Sequence, residues 1–167
     1  MKVVQRFLLP ALLALLFAVQ VQRSSDLMRA QRLLYGVERR TMVMLRSGDL
    51  DKVKLRGNLE ALADARELDP AEVAIVALSG SQHLMLGELE PARRAYVAAN
   101  RLEPRPEILV NLGKVNFSQG ANRRAVRFFG QAVLLDPHLM KEVPLGLQEA
   151  VSDALRSQDY ADGADED

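Results

Sequence analysis

At 167 residues the chain can bury one domain core but not two independent ones. It has no cysteine and only two histidines, His83 and His138, far apart, which excludes disulfides and thiolate chemistry and leaves no histidine cluster for a metal. Its 22 basic and 22 acidic residues balance overall but not locally: residues 1–47 carry eight basic against two acidic, residues 48–137 twelve of each, and residues 138–167 two against eight. A basic start beside an apolar segment suits an anionic membrane surface, and the acidic end, residues 157–167, reads as a disordered, solvated tail.

The first segment, residues 1–23, is a transmembrane anchor or a signal. Residues 7–21, FLLPALLALLFAVQV, are apolar except for Gln20, and Lys2 and Arg6 precede them, the physical form of an export signal. Ala18 with Gln20, or Val19 with Val21, makes a poor small-residue cleavage pair, so an uncleaved anchor over residues 3–21 is expected. As helix that span is roughly 28 Å long, just enough for a bilayer core. A cleaved signal and a buried or surface-lying helix are the alternatives. Flanking charge barely discriminates orientation; the likeness to an export signal places the remainder of a single-pass protein outside the cytoplasm.

Residues 24–70 read as a helical hairpin. Ser24 or Ser25 is suited to cap a helix opening at Asp26, or that helix continues from the anchor. Leu27, Ala30, Leu33, Leu34 and Val37 recur at helical spacing and Gly48 closes the helix. A second helix is predicted over Asp51–Leu68, with Leu55, Leu59, Leu62 and Ala65 as its apolar stripe.

Residues 71–137 are more regular. Helices are predicted over about 72–86, 89–102, 107–118 and 122–135, with turns at Gly87, Arg105-Pro106 and Gly120. A phrase recurs three times, Leu68-Asp69-Pro70, Leu102-Glu103-Pro104 and Leu135-Asp136-Pro137, each with an alanine three residues before the leucine. Its prolines are 34 and then 33 residues apart, a period typical of stacked helix hairpins. Gly80 and Gly113, Gly87 and Gly120, Ala92 and Ala125, Tyr96 and Phe129, and Ala99 and Ala132 are all 33 apart. The spacing predicts that Gly80 and Gly113 let a partner helix approach, at about 1 kcal/mol against alanine, with Tyr96 and Phe129 as the large knobs between small contact positions.

Residues 109–137, LVNLGKVNFSQGANRRAVRFFGQAVLLDP, resemble a tetratricopeptide repeat at Leu109, Leu112, Gly113, Gly120, Ala125, Phe129, Ala132 and Pro137. Residues 76–104 resemble it at Val76, Gly80, Gly87, Ala92, Tyr96, Ala99 and Pro104, with Ser79 and His83 departing from the pattern. Residues 36–70 match only at Ala65 and Pro70, as a degenerate hairpin. The resemblance implies an all-α protein, a short right-handed solenoid of antiparallel helix hairpins, to which residues 1–23 add an expected N-terminal membrane helix. Val143, Leu147, Val151 and Leu155, spaced by four, predict a capping helix over about 140–156 within a C-terminal segment 138–156.

The family's first helices line a concave surface. By register this places Ala74, Ala77, Ser81, Leu84 and Met85 there from one repeat and Glu107, Val110, Asn111, Lys114, Phe117 and Ser118 from the next. The resemblance thus implies a protein-binding groove of Leu84, Met85, Glu107, Val110, Asn111, Lys114 and Phe117, with Asn111 and Lys114 as polar handles for a peptide or partner helix. It lacks the converging basic and asparagine side chains of relatives that clamp a peptide carboxylate.

Other chemistries are poorly represented. The pairs Arg39-Arg40, Arg93-Arg94 and Arg123-Arg124 lie on different predicted helices in a repeat region of zero net charge, so nucleic-acid binding is not expected. No phosphate loop, nucleophile elbow or histidine–carboxylate motif occurs, so the chain reads as a non-enzyme with no cofactor, metal or small-molecule substrate. His83 is expected to fill the first repeat's interior with local hydrogen bonds. Asn116-Phe117-Ser118, formally a glycosylation triplet, falls inside a predicted helix and reads as a chance match. The expected function is a membrane-tethered adaptor or assembly factor holding a protein or peptide near the membrane. The alternatives are a structural subunit of a larger membrane complex and a cleaved, secreted repeat protein.

Overall fold

A computed structural model describes the backbone of residues 2–157 and the side chains of residues 12–157. The described residues are all-α: α1 (Lys2–Ser47), α2 (Lys52–Leu68), α3 (Val73–Met85), α4 (Leu89–Leu102), α5 (Pro106–Ser118), α6 (Asn122–Leu135), a 3-10 segment (Pro137–Glu142) and α7 (Leu145–Ser157). Each helix packs mainly on its neighbours in sequence, while α1 also touches α3, and α3 touches α5. Contacts thus run mainly between elements adjacent in sequence.

The repeated phrase is a helix exit. The main-chain N–H of Asp69, Glu103 and Asp136 donates to Ala65, Ala99 and Ala132 at 2.9, 3.0 and 2.9 Å. Each acid has left the helix with φ of −140°, −155° and −139°, because the proline after it clashes with a helical predecessor. All three alanines are fully buried, whereas Leu102 and Leu135 are exposed. The period therefore comes from the alanine and the proline; of the three leucines only Leu68 packs against a core cluster.

Three apolar clusters run along the chain, and each is completed by the following hairpin. Ala30, Leu34, Val37, Leu62 and Ala65 are joined by Ile75 of α3. Val76, Tyr96 and Ala99 are joined by Ile108, Leu112 and Val115 of α5. Leu109, Phe129 and Val133 are joined by Val143, Leu147 and Val151. No hairpin buries its apolar face alone, so each needs the next, and the last needs α7.

Within α3–α4 and α5–α6 the lock is a glycine facing an aromatic ring. A Cβ on Gly80 would lie 2.9 Å from Tyr96 Cε1, and one on Gly113 2.7 Å from Phe129 Cε1. The rings are 1% and 0% exposed, so neither can move aside, and the glycines are required for close approach rather than for flexibility. Gly87 and Gly120 serve differently: their φ of 76° and 75° end α3 and α5 in the left-handed region.

The first hairpin uses another device. Asn58 and Leu62 stand 34 residues before Ala92 and Tyr96, so the small contact position has become polar and the aromatic knob aliphatic. Asn58 is fully buried. Its Nδ2 donates to Gln82 Oε1 at 3.0 Å, its Oδ1 accepts from Arg40 Nε at 2.7 Å, and Gln82 Nε2 donates to Thr41 Oγ1 at 3.0 Å. Gln82 is itself 0% exposed. This network ties α1, α2 and α3 together through satisfied buried polar groups.

Of the two alternatives at Ser24 and Ser25 the structure takes the continuous helix, and the boundary expected for the last helix is corrected. Ser24 and Ser25 do not cap a new helix: α1 runs unbroken through them, and Ser24 Oγ donates back to the Gln20 carbonyl at 2.9 Å, which removes the competition a serine offers to helical backbone. The terminal helix does not span 140–156 either. Pro144 forces Val143 out of helical geometry, with ψ of 129°, and α7 opens only at Leu145. The predicted stripe nevertheless packs, with Val143, Leu147 and Val151 buried and Leu155 against them.

Candidate binding surfaces

The seven groove residues come from α3 and α5, and the structure places them unequally. Phe117 and Glu107 are exposed, while Met85 and Asn111 are half-buried. Leu84 is half-buried against the Val76–Leu112 cluster. Val110 is 3% exposed and sits with Phe129, Val143 and Leu147. Lys114 Nζ meets Glu142 Oε2 at 2.9 Å, because the 3-10 segment after α6 folds back against α5. One polar handle is thus already engaged by the chain itself, and of the seven residues only Phe117 and Glu107 are exposed, with Met85 and Asn111 half-buried. Nothing in the spacing of Lys114 and Glu142, 28 residues apart across an irregular segment, signals this pair.

His83 is half-buried, and its Nδ1 lies 2.7 Å from Glu88 Oε2, five residues on. Arg56 of α2 binds the other carboxylate oxygen. The His83 hydrogen bond, followed by Arg56, holds the Glu88 carboxyl below the usual glutamate range. A single acid already neutralised by an arginine gives the ring a local partner and no catalytic cluster. Lys114 similarly lowers the carboxyl of Glu142.

Both carboxyls have folded-state pKa values below their unfolded ones, so the stabilisation from these pairs is complete above the unfolded glutamate value of about 4.3. It is lost as pH falls through the depressed folded values. Thermal melts followed by circular dichroism from about pH 6 to about pH 3 should therefore show a midpoint that drops on acidification, and drops less in the Glu88→Gln/Glu142→Gln double variant. An equal drop in both proteins would mean that neither pair contributes.

The other flagged features resolve individually. Arg40 is held by Asn58, and Arg93 pairs with Glu90. Asn116 is 2% exposed and donates to the Leu112 carbonyl at 2.8 Å, which leaves its amide inaccessible to a glycosylating enzyme. Among the described residues no group of three or more His, Asp or Glu side chains is placed to hold a metal ion.

The N-terminal part of α1 touches no other element through its described side chains. Leu12, Leu13, Leu15, Leu16, Phe17, Val19 and Val21 are all exposed, Phe17 to 72%, and burial begins only at Ala30. Among the described residues no helix is long and apolar enough to cross a membrane; residues 3–11 of the expected anchor have side chains outside the description. The chain matches no protein-family model and no curated protein.

Proposed function

We propose that this chain is a membrane-tethered, non-enzymatic protein-binding scaffold, an adaptor or assembly factor, built as a short right-handed solenoid of tetratricopeptide-type hairpins. The observation that carries this reading is α1. Its C-terminal half is part of the helical core, whereas Leu12 to Val21 presents apolar side chains around the whole helix with nothing to cover them. Leaving that much apolar surface in water is unfavourable by about 25 cal/mol per Å², and an exposed patch of this kind marks an interaction site. The apolar residues 7–11, preceded by Lys2 and Arg6, extend the segment toward the length of an anchor. Because α1 continues without a break into the hairpins, the anchor would hold the Phe117 surface close to the bilayer and raise the effective concentration of a membrane-bound partner.

A flotation assay with liposomes tests the tether. The full chain should float with the vesicles, and a Leu13→Lys/Leu16→Lys/Phe17→Lys variant should stay in the soluble fraction with unchanged helicity. Equal flotation of both would remove the support for α1 as the anchor. A second reading, a structural subunit of a larger membrane complex, is favoured by Met28, Tyr35 and Met42, exposed to 63%, 68% and 52% at seven-residue spacing along α1. A stoichiometric partner that protects these residues after purification in detergent would support it.

A further inference from the structure

We propose that the groove between α2 and α4, lined also by Ser79 and His83 of α3, binds an acidic peptide segment of a partner protein. This stands independently of the tether and of the α3–α5 surface. The groove encloses about 360 Å³, with Leu59, Leu62, Ala63, Pro91, Ala95 and Ala98 along it and Arg66, Arg94, Ser79 and His83 as its polar lining. A second hollow of about 310 Å³ shares Arg94 and Ala98 and adds Arg93, Val97 and Arg101. The two form one track along α4.

The charges along this track are unequally committed. Glu88 is taken by His83 and Arg56, and Glu90 by Gln119 and Arg93. Asp64 and Glu67, the acids of α2 nearest to Arg66 in sequence, line a different hollow with Arg29 and Arg32 of α1. Among the described residues Arg66, Arg94 and Arg101 form no ion pair or hydrogen bond; Arg94 feels only the more distant charge of Glu90. Three uncommitted guanidinium groups beside an apolar trough fit a chain that carries carboxylates next to aliphatic side chains, since guanidinium pairs carboxylate in a fixed two-pronged geometry.

Two other anionic partners fit less well. A single-stranded nucleic acid needs aromatic platforms for its bases, and neither hollow is lined by Phe, Tyr or Trp, while the one ring present, His83, is bonded to Glu88. A lipid surface cannot enter a trough whose floor lies between two helices. The acidic peptide is the occupant that uses both the cations and the apolar floor.

Fluorescence anisotropy of a short, labelled, end-blocked peptide of alternating glutamate and leucine, titrated with the full chain in detergent, tests the assignment. Binding should weaken as salt is raised, and Arg66→Ala/Arg94→Ala should raise the dissociation constant at least about tenfold, since each charge-assisted bond lost is worth that much. Arg39→Ala, an exposed arginine of α1, should leave it unchanged. No binding, or equal loss in the Arg39 variant, overturns the proposal. So does tighter binding of a single-stranded oligonucleotide than of the peptide.

Discussion

Gly113→Ala should destabilise the protein by about 2 kcal/mol, whereas Gly57→Ala, the same change in another helix, should stabilise it by about 0.5–1 kcal/mol. Both glycines lie inside helices, where alanine is intrinsically better. A Cβ at Gly57 meets nothing within 4 Å, so only the propensity gain remains. At Gly113 it would lie 2.7–2.9 Å from three carbons of the Phe129 ring, and that ring is fully enclosed. Overpacking of about 1–3 kcal/mol or more then outweighs propensity. Phe129→Ala should cost about 3–5 kcal/mol through the cavity it leaves. Phe129→Leu should recover part of the Gly113→Ala loss, because the shorter side chain vacates the contested space. Urea denaturation of the four variants measures this directly, and a stabilising Gly113→Ala would mean that α5 and α6 do not meet through this pair.

The second large effect belongs to the first hairpin. Asn58→Ala should cost about 2–3 kcal/mol, because it leaves the buried Gln82 amide oxygen without its Asn58 donor and opens a cavity. Replacing the three buried members together, Thr41→Val, Asn58→Leu and Gln82→Met, should cost markedly less than the single change, since no buried polar group is then left without a partner and the exposed Arg40, which loses Asn58 Oδ1, turns to water. Denaturation midpoints of the two variants decide the matter. If the triple variant falls as far as the sum of its single changes, the three side chains act independently and the network has no collective role.

The contrast between these hairpins explains what was legible in the sequence. Gly80, Gly113, Tyr96 and Phe129 could be paired from spacing alone because the device is used twice, and the alanine–acid–proline exits could be located because it is used three times. The Thr41–Asn58–Gln82 network occurs once. Its members are 17 to 41 residues apart, at helical positions where a polar side chain ordinarily reads as exposed; the one available signal was Asn58 standing in register with Ala92 and Ala125. Pro144 marks the break, but the four-residue spacing of Val143, Leu147 and Val151 runs across it, because Val143 is buried from extended backbone.

The candidate surfaces were legible only by face. Register placed Lys114 and Phe117 along α5, but the fold-back that brings Glu142 onto Lys114 depends on the path of an irregular segment, which periodicity does not encode. The outer track was obscured for a related reason. Arg66 and Arg94 are unremarkable charges on separate helices, and only the packing of α2, α3 and α4 brings them to one trough while turning Asp64 and Glu67 toward α1.

The central claim is that the apolar start of α1 is retained and holds the hairpins at a membrane. Its most direct test is intact-mass analysis of the protein recovered from membranes of expressing cells after an alkaline wash. The account predicts a chain that still carries residues 1–23 and remains in the washed membrane pellet. A mature chain beginning near residues 21–24 and recovered in the soluble fraction would contradict it.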